Sequence, residues 1–325
     1  MRRLLFVAAA IGVLVFCAPA KSAAQTGQRF ALIVEGAAGD ATHAELQRKV
    51  LNGFVEKFRG DYKLDAQHLT VLASQPQSGE GKATADEVRT ALGRMAPQVK
   101  PLDIICVVLI GHGSFDGTDA KFNLVGPDLT EKDWATLLKP AGGKVVVVNT
   151  TPASAPFLKA LAGPNRITIT ATDQAAQKYD TMFGDAFLQA LNATTADLDK
   201  DGRISMWEAF AYASRIVRQT YEQRGLLQPE HAALDDDGDG AGRQATADGK
   251  DGTLASTTFM DAVVSSRQAD PGLQQMVQHQ EQLLLKLDEL KKQKAKMKPE
   301  DYQPAWEALI IEIATISRDI RARLK

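Results

Sequence analysis

The chain has 325 residues, which is enough for one sizeable domain with an appendage. Its 38 basic and 40 acidic side chains leave a formal net charge of −2, so no excess of positive charge favours nucleic acid as a partner. Composition therefore excludes a nucleic-acid-binding protein from the expected classes.

The N-terminus has the features of a secretory signal peptide. Two arginines precede an apolar run over residues 4–16, and small residues allow cleavage after Ala20 or Ala24. We assign residues 1–24 to the signal peptide and expect an exported bacterial protein, periplasmic or secreted, with no membrane span after cleavage. An uncleaved anchor is the alternative, although the run is short for a span. Cleavage would leave Cys106 as the only cysteine, which excludes an intramolecular disulfide.

Strand-like and helix-like segments alternate across residues 25–265. Apolar runs predict five strands, in RFALIVE, HLTVLA, DIICVVLI, KVVVVN and RITITAT. Amphipathic helices are predicted in THAELQRKVLNGFVEKFRG and TADEVRTALGRMA, the second opened by a capping box of Thr84 and Glu87. Two of the strands lack polar alternation, as expected of strands buried on both faces of a parallel sheet. We therefore predict an α/β domain with a mostly parallel sheet and helices on both faces.

Residues 266–325 have a pattern typical of a helical hairpin or a coiled coil. Apolar residues recur at coiled-coil spacing from Leu273 to Met297 and from Trp306 to Ile320, on either side of the turn KPEDYQP. The short turn favours an antiparallel hairpin, and a coiled coil with another chain is the alternative. Because either unit buries little surface alone, we expect it to dock on the domain, on a protein or peptide partner, or on a second copy of the chain.

His112 and Gly113 form the first motif that could carry chemistry. They follow a buried strand in the segment LIGHGS, and the carboxyl ends of parallel strands are where catalytic groups collect. The flanking glycines allow another backbone segment to approach closely, and the Gly113 N–H could stabilise an oxyanion. We interpret His112 as a functional histidine and Gly113 as a backbone donor.

This strand-His-Gly unit, the segment KFNLVGPDL and the following strand with its loop of small residues resemble the caspase/legumain clan of cysteine peptidases, in particular bacterial legumain-like (C13-type) proteins. The resemblance extends from about Arg29 to Asp261. It implies a caspase-like fold in which the third-strand histidine is the general base and the fourth strand ends in a loop with the cysteine nucleophile. His112 then takes the place of the base, and Gly113 that of the oxyanion donor.

The loop after the fourth strand, NTTPASAPFL, lacks the expected cysteine. Aligned on Ser154, the nucleophile position falls on Pro152, and aligned on Asn149 it falls on Thr151. A hydroxyl nucleophile needs a dedicated base. The basic residue that the family places after the first strand is also missing from EGAAGDATHAELQ. The resemblance therefore implies a catalytically silent relative, and a hydrolase that uses Thr151 or Ser154 with His112 as base is the alternative.

The segment DLDKDGRISMWE, residues 197–208, matches the calcium loop of an EF-hand at every ligand position. The predicted ligands are the side chains of Asp197, Asp199, Asp201, Ser205 and Glu208 and the backbone carbonyl of Arg203. Carboxylate oxygens at this spacing suit Ca²⁺ better than Mg²⁺. Because a single loop lacks the paired loop of sensor proteins, we expect Ca²⁺ to act as a structural clamp between the flanking helices. An acidic loop that binds no metal is the alternative.

A second acidic segment, LDDDGDGAGRQATADGKDG, matches only the start of such a loop. Asp235, Asp237, Asp239 and Gly240 follow the pattern, but Thr246 stands where the bidentate glutamate is needed. Both a weak second Ca²⁺ site and a flexible acidic loop are open interpretations.

Together these patterns predict an exported Ca²⁺-binding caspase/legumain-like domain without peptidase activity, which serves as a binding or scaffold module. The C-terminal helices or the cleft around His112 would engage a protein or peptide, and a homo-oligomer is a further expectation. The alternative is an active peptidase with a hydroxyl nucleophile from Thr151 or Ser154.

Overall fold

The structure, a computed structural model, describes residues 27–200, 202–261, 271–294 and 297–324. The predicted signal peptide and Asp201 lie outside these residues. The strands are β1 Arg29–Glu35, β2 Leu69–Ala73, β3 Gly81–Lys82, β4 Ile104–Ile110, β5 Gly113–Phe115, β6 Ala120–Phe122, β7 Leu129–Thr130, β8 Lys144–Asn149, β9 Arg166–Thr170 and β10 Ala233–Asp235. The helices are α1 Ala41–Glu56, α2 Ala85–Met95, α3 Glu131–Leu138, α4 Pro156–Leu161, α5 Phe183–Asn192, α6 Met206–Gln223, α7 Pro271–Gln293 and α8 Pro299–Leu324.

A mostly parallel sheet forms the centre of the α/β domain, with the strand order β10-β9-β8-β4-β1-β2-β3. β4 lies in the middle and pairs in parallel with β1 on one side and β8 on the other. Every residue of β4 is buried, as its unbroken apolar sequence predicts. β10 is antiparallel to β9 and closes one edge.

Helices cover both faces of this sheet, so the predicted α/β architecture is confirmed. Phe54 of α1, Phe183 of α5 and Phe210 of α6 fill the core on one face. Trp134 of α3 and Phe157 of α4 pack into the core on the other face, together with α2. The β4 cysteine, Cys106, lies in the first core as a small apolar side chain, and burial raises the pKa of its thiol to about 12.

Local signals place the helix ends close to the predicted bounds. The Thr84 hydroxyl accepts a hydrogen bond from the Glu87 N–H and so caps α2. The predicted first helix ends as an α-helix at Glu56 and continues as a five-residue π-helix over Lys57–Asp61. The sequence did not predict the small antiparallel sheet β5-β6-β7, which directly follows His112. Its strands have two or three residues each, too few for a periodic pattern.

The C-terminal helices α7 and α8 pack antiparallel against each other, as the hairpin interpretation predicts. Leu283, Leu287 and Ile313 are buried between them. The Gln280 amide, at a polar position of the α7 seam, donates to the Ser317 hydroxyl at 2.7 Å. Pairing with another chain stays a prediction. Among the described residues, no helix combines the length and apolar character needed to cross a membrane.

A buried ion pair fastens α1 to the carboxyl end of β1. The Arg48 guanidinium lies 3.2 Å from the carboxylate of Glu35, whose side chain is 2% exposed, and 2.9 Å from that of Glu80. It also donates to the Gln75 carbonyl, while the Ser74 N–H donates to Glu35. Burial raises the pKa of Glu35 and the charge of Arg48 opposes this shift. The positive charge of Arg48 therefore compensates the cost of burying the Glu35 carboxylate.

Arg48→Ala should lower the free energy of unfolding by about 3–5 kcal/mol, because it leaves Glu35 buried without a counter-ion. Arg89→Ala is the matched control. Arg89 pairs with Asp86 on the exposed surface of α2, where an ion pair contributes less than about 1 kcal/mol. Urea unfolding at neutral pH measures both variants. Equal losses for the two would contradict the importance of the Arg48 network.

Candidate functional site

The predicted catalytic residues gather at one edge of the main sheet. β4, β8 and β9 run parallel, so their carboxyl ends meet at that edge. His112 and Gly113 follow β4, and Thr151 and Ser154 follow β8. The structure brings Gly113 and Thr151 into contact and directs Ser154 to another partner.

Gly113 lies against the turn after β8. A β-carbon at Gly113 would stand 2.6 Å from the Thr151 hydroxyl oxygen and 2.3 Å from the Pro152 carbonyl oxygen. Only glycine allows this approach without a shift of the backbone. The close approach expected for a glycine beside His112 is therefore present.

The N–H of Gly113 points away from the rest of its sheet. Gly113 lies opposite Phe122 of β6, and the neighbouring ladder bond runs from the Asn123 N–H to the His112 carbonyl. This pattern makes Gly113 and Phe122 a non-hydrogen-bonded pair. Because β5 is an edge strand, the N–H is directed towards the outer edge of β5.

Neither predicted hydroxyl nucleophile is hydrogen-bonded to His112 in the described part of the chain. The Thr151 hydroxyl donates to the Asn149 side-chain oxygen at 2.7 Å, and Thr151 is 1% exposed. Ser154 is fully buried, and its hydroxyl lies 3.2 Å from that of Thr172. Both hydroxyls are engaged in contacts that hold the turn and are shielded from solvent.

The turn holds Ala153 in a left-handed conformation, with φ of +54°. A non-glycine residue there costs about 1–2 kcal/mol. The Ala153 N–H donates to the Gln177 carbonyl at 2.8 Å, which anchors the turn to the loop after β9. The side-chain nitrogen and oxygen of Gln177 are both buried, and within the described residues neither has a hydrogen-bond partner. An unsatisfied amide therefore lies beside the turn.

The His112 imidazole is oriented by the segment after β1. Its Nε2 atom lies 2.9 Å from the Ala38 carbonyl oxygen. A carbonyl only accepts hydrogen bonds, so Nε2 carries a proton and donates it to Ala38. The other ring nitrogen, Nδ1, lies 3.5 Å from the Asp180 Oδ1 atom. Both ring nitrogens thus face groups other than the predicted nucleophiles.

A second histidine completes a cluster that the sequence reasoning missed. His43, at the start of α1, lies with its Nε2 atom 2.8 Å from Asp180 and its Nδ1 atom 2.7 Å from Asp40. The imidazole rings of His43 and His112 are 5.0 Å apart. The hydrogen bonds to Asp180 and Asp40 raise the pKa of His43. Two imidazoles therefore converge on one carboxylate.

One local signal for this cluster was present in the sequence. Asp40 and His43 follow the glycines at the end of the first predicted strand, where ligand-binding residues collect. Asp40 also caps α1, because its carboxylate accepts the His43 N–H at 2.9 Å. Asp180 lies in an irregular segment, and no motif marks it.

Two contacts fix the loop that carries Asp180. The Thr181 hydroxyl donates to the Thr150 carbonyl, which ties the loop to the end of β8. The Met182 N–H donates to the Glu230 carboxylate at 2.9 Å, just before α5 begins. Glu230 is 1% exposed, and burial raises its pKa to about 7, although the Met182 N–H opposes this shift.

The predicted calcium loop brings its described carboxylates together. One oxygen each from Asp197, Asp199 and Glu208 lies within 4.8 Å of the others. Ligands about 2.3–2.6 Å from a Ca²⁺ ion lie no more than about 5 Å apart, so these three residues fit the ion. Ser205 caps α6 and forms a capping box with Glu208. Gly202 has φ of +81°, which the sharp turn requires.

A segment near the end of the α/β domain braces this loop. Ser205 forms an antiparallel β-bridge with Phe259. The Arg203 guanidinium donates to the Asp261 carboxylate at 2.8 Å and stacks over the Phe259 ring at 3.8 Å. The Arg203 side chain is therefore used for bracing, and its predicted metal ligand is the backbone carbonyl. The single loop thus receives support from outside its helix-loop-helix unit.

The second acidic loop also keeps its carboxylates close together. Oxygens of Asp235, Asp237 and Asp239 lie within 4.8 Å of one another. Burial raises the pKa of Asp235 to about 6. Backbone N–H groups hold the loop, with Gly238 donating to Asp235 and Ala241 to Asp239. A weak second Ca²⁺ site stays a prediction.

Comparison with known proteins finds similarity at the level of solved structures. No protein-family model and no curated protein matches the chain. A protein from Geobacter sulfurreducens is 16% identical, with a TM-score of 0.42 over 64% of this chain and 92% of its own. Caspase-1 from Spodoptera frugiperda is 8% identical, with a TM-score of 0.42 over 65% of this chain and 87% of its own. The secreted C11 cysteine protease iotapain from Bacteroides thetaiotaomicron is 10% identical, with a TM-score of 0.36 over 65% of this chain and 67% of its own. These likenesses are remote, and the residue roles given above rest on the geometry of this chain.

Glu230→Gln should weaken the pH dependence of stability between about pH 4.5 and 7. The folded protein holds a proton at Glu230 more tightly than the unfolded chain, because burial raises the pKa from 4.5 to about 7. The contribution of Glu230 to the free energy of unfolding is therefore full below this window and is lost as the pH rises through it. Such a shift corresponds to about 3 kcal/mol.

Urea unfolding below and above this window measures the effect. Wild type should lose about 3 kcal/mol more than Glu230→Gln as the pH rises. The exposed Glu222→Gln on α6 is the control and should follow the wild type. If the free energy of unfolding changed with pH in the same way for wild type and Glu230→Gln, the raised pKa of Glu230 would be refuted.

Proposed function

We propose that this chain is an exported, Ca²⁺-binding caspase/legumain-like domain that lacks peptidase activity and acts as a binding or scaffold module. One observation carries the proposal. His112 directs its ring nitrogens at Ala38 and Asp180, while the hydroxyls of Thr151 and Ser154 are buried in other contacts.

Peptide hydrolysis would need a different arrangement of these groups. A general base acts on a nucleophile about 2.6–3.2 Å away, and a hydroxyl needs such a base far more than a thiolate does. The Thr151 hydroxyl already donates its proton to Asn149, which is fully buried. An uncharged amide oxygen is a poor proton acceptor, so this contact favours a structural role for Thr151.

The relative placement of two segments supports the caspase/legumain-like assignment. The histidine follows the third long strand, β4, and the loop at the nucleophile position follows the fourth, β8. These strands are neighbours, and Gly113 touches the turn at Thr151 and Pro152. This is the arrangement that the sequence resemblance implies, with the cysteine replaced.

The same edge offers hydrogen bonds to an extended peptide. Gly113 belongs to the edge strand β5, and its N–H faces outwards. The buried amide of Gln177 lies beside the neighbouring turn, where a bound backbone could satisfy it. These groups favour an extended peptide segment as the ligand of this edge.

For the calcium loop we propose a structural role. The loop connects α5 to α6, whose residues Phe183, Phe187 and Phe210 belong to one core of the sheet. A Ca²⁺ ion bound by Asp197, Asp199 and Glu208 would hold the loop at the start of α6. Because the β-bridge to Phe259 braces the loop, we expect a clamp rather than a large conformational switch.

Calcium should raise the melting temperature, because a ligand that binds only the folded state stabilises it. At a hundredfold excess over the Kd the gain is about 2.7 kcal/mol, or roughly 5–10 °C. Differential scanning calorimetry with Ca²⁺ and with chelator measures the shift. Glu208→Gln should abolish the calcium-dependent shift, and Glu222→Gln on the same helix should retain it. A wild-type melting temperature unaffected by millimolar Ca²⁺ would rule out the site.

A peptide-substrate library should show no cleavage by the purified protein, with or without Ca²⁺. Mass spectrometry of the digests detects products without an assumption about specificity. His112→Ala and the isosteric Thr151→Val are the controls for contaminating proteases. Cleavage by the wild type that His112→Ala loses would establish the alternative, an active peptidase; its loss in Thr151→Val would assign the nucleophile to Thr151, and its retention there would assign it to Ser154.

A further inference from the structure

Two histidines and one aspartate converge at the carboxyl edge of the sheet. Oxygen or nitrogen atoms of His43, His112 and Asp180 all lie within 4.8 Å of one another. We propose that these three side chains form a binding site for a divalent transition-metal ion, with Zn²⁺ as the best fit. The site shares no residue with the calcium loop, and it uses the same His112 contacts on which the proposed function rests.

In each histidine, the ring nitrogen that faces away from Asp180 is hydrogen-bonded, which leaves the other nitrogen directed at Asp180. His112 donates from Nε2 to the Ala38 carbonyl, and its Nδ1 atom faces Asp180. His43 is bonded through Nδ1 to Asp40, and its Nε2 atom faces Asp180. A carbonyl or carboxylate behind the distal ring nitrogen is the usual support of a metal-bound histidine, because it fixes the tautomer and the ring plane.

This hydrogen-bond pattern favours a positive charge between the two rings and Asp180. If both distal nitrogens carry the ring protons, the two remaining lone pairs point at one carboxylate. Lone pairs and a carboxylate repel one another unless a proton or a cation lies among them. A divalent cation satisfies all three groups at once, whereas a proton on His43 satisfies only its own contact with Asp180.

One ligand atom from each of the three residues lies within 4.8 Å of the other two, so the ligands would draw closer together on coordination. Ligand atoms about 2 Å from a tetrahedral zinc ion are about 3.3 Å apart. The Asp180 Oδ2 atom is 2.8 Å from His43 Nε2, and the Oδ1 atom of the same carboxylate is 3.5 Å from His112 Nδ1. Three protein ligands would leave a fourth position for water or another small ligand.

The surroundings favour a cation and allow it to enter. The side chains of His43, His112 and Asp180 are 32%, 25% and 63% exposed, so the ion can reach them from solvent. Asp40 and Asp180 together supply two negative charges. Asp40 caps α1 as well, and its charge offsets the partial positive charge of the helix N-terminus.

The ligand set selects the class of metal. Imidazole nitrogens suit Zn²⁺, Cu²⁺, Ni²⁺ and Co²⁺, whereas Ca²⁺ and Mg²⁺ prefer oxygen ligands throughout. The calcium loop consists of oxygen ligands only, so the two sites should discriminate between the two classes of ion. Co²⁺ can serve as a spectroscopic probe, because tetrahedral Co²⁺ absorbs far more strongly in the visible range than octahedral Co²⁺.

The test is a zinc titration of the whole protein against a chromophoric chelator, in millimolar Ca²⁺ so that the EF-hand loop is saturated. Wild type should bind one equivalent, and Co²⁺ should give the strong visible bands of a tetrahedral complex. His43→Ala and Asp180→Asn should each weaken zinc binding at least tenfold. Asp40→Asn, which alters the support of His43, should weaken it about 10–100-fold.

Two controls separate this site from other histidines and from the calcium loop. His68→Ala removes a histidine that is paired with Asp65 in the same way, at 2.7 Å, and should bind zinc like the wild type. Glu208→Gln should also bind zinc normally even though the calcium-dependent stabilisation is lost. Circular dichroism confirms that each variant is folded, and the exposed Asp180→Asn is the variant least able to disturb the fold. Equal zinc binding by wild type and Asp180→Asn, or no binding by wild type, would overturn the proposal.

Discussion

The parallel pairing of β4 with β1 and β8 is the constraint on which the rest of the structure depends. Because β4 is buried along its whole length, helices must cover both faces of the sheet. His112 follows the carboxyl end of β4 and therefore lies between the segments that follow β1 and β8. Gly113 must be glycine, since the Pro152 carbonyl oxygen occupies the space of a side chain. Core packing thus decides which groups the histidine meets.

Those groups are polar and acidic. His112 is held by a backbone carbonyl on one side and faces Asp180 on the other, and His43 reaches the same carboxylate from α1. Thr151 follows β8, the strand next to the one that carries His112. Its hydroxyl nevertheless donates to Asn149 and so stays bonded within its own turn. At this edge of the sheet, the carboxylates of Asp40 and Asp180 lie beside the imidazoles of His43 and His112. The hydrogen bonds to Asp180 and Asp40 raise the pKa of His43, so the negative charge at this edge stabilises a proton on that ring.

The predicted calcium loop combines a helix start with three clustered carboxylates. Glu208 accepts N–H groups from Leu198 and Ser205, so its carboxylate orders the loop and α6 together. Each of its oxygens accepts two hydrogen bonds, from Leu198 and Asp199 on one side and from Ser205 on the other, so a bound cation would replace some of them. Phe259 and Asp261 hold the loop from outside through Ser205 and Arg203, which limits how far it can move. In the clamp that we propose, this outside support would take the place of a second loop.

The sequence by itself determined the features that depend on neighbouring residues. The unbroken apolar runs identified the long buried strands, and Thr84 marked the start of α2. The predicted EF-hand ligands are recognisable because all of them lie within residues 197–208. The antiparallel edge strand β10 and the three short strands after His112 left no periodic pattern. Only the tertiary structure decided that His43 meets Asp180, which is 137 positions away, because the order of the strands in the sheet brings their loops together.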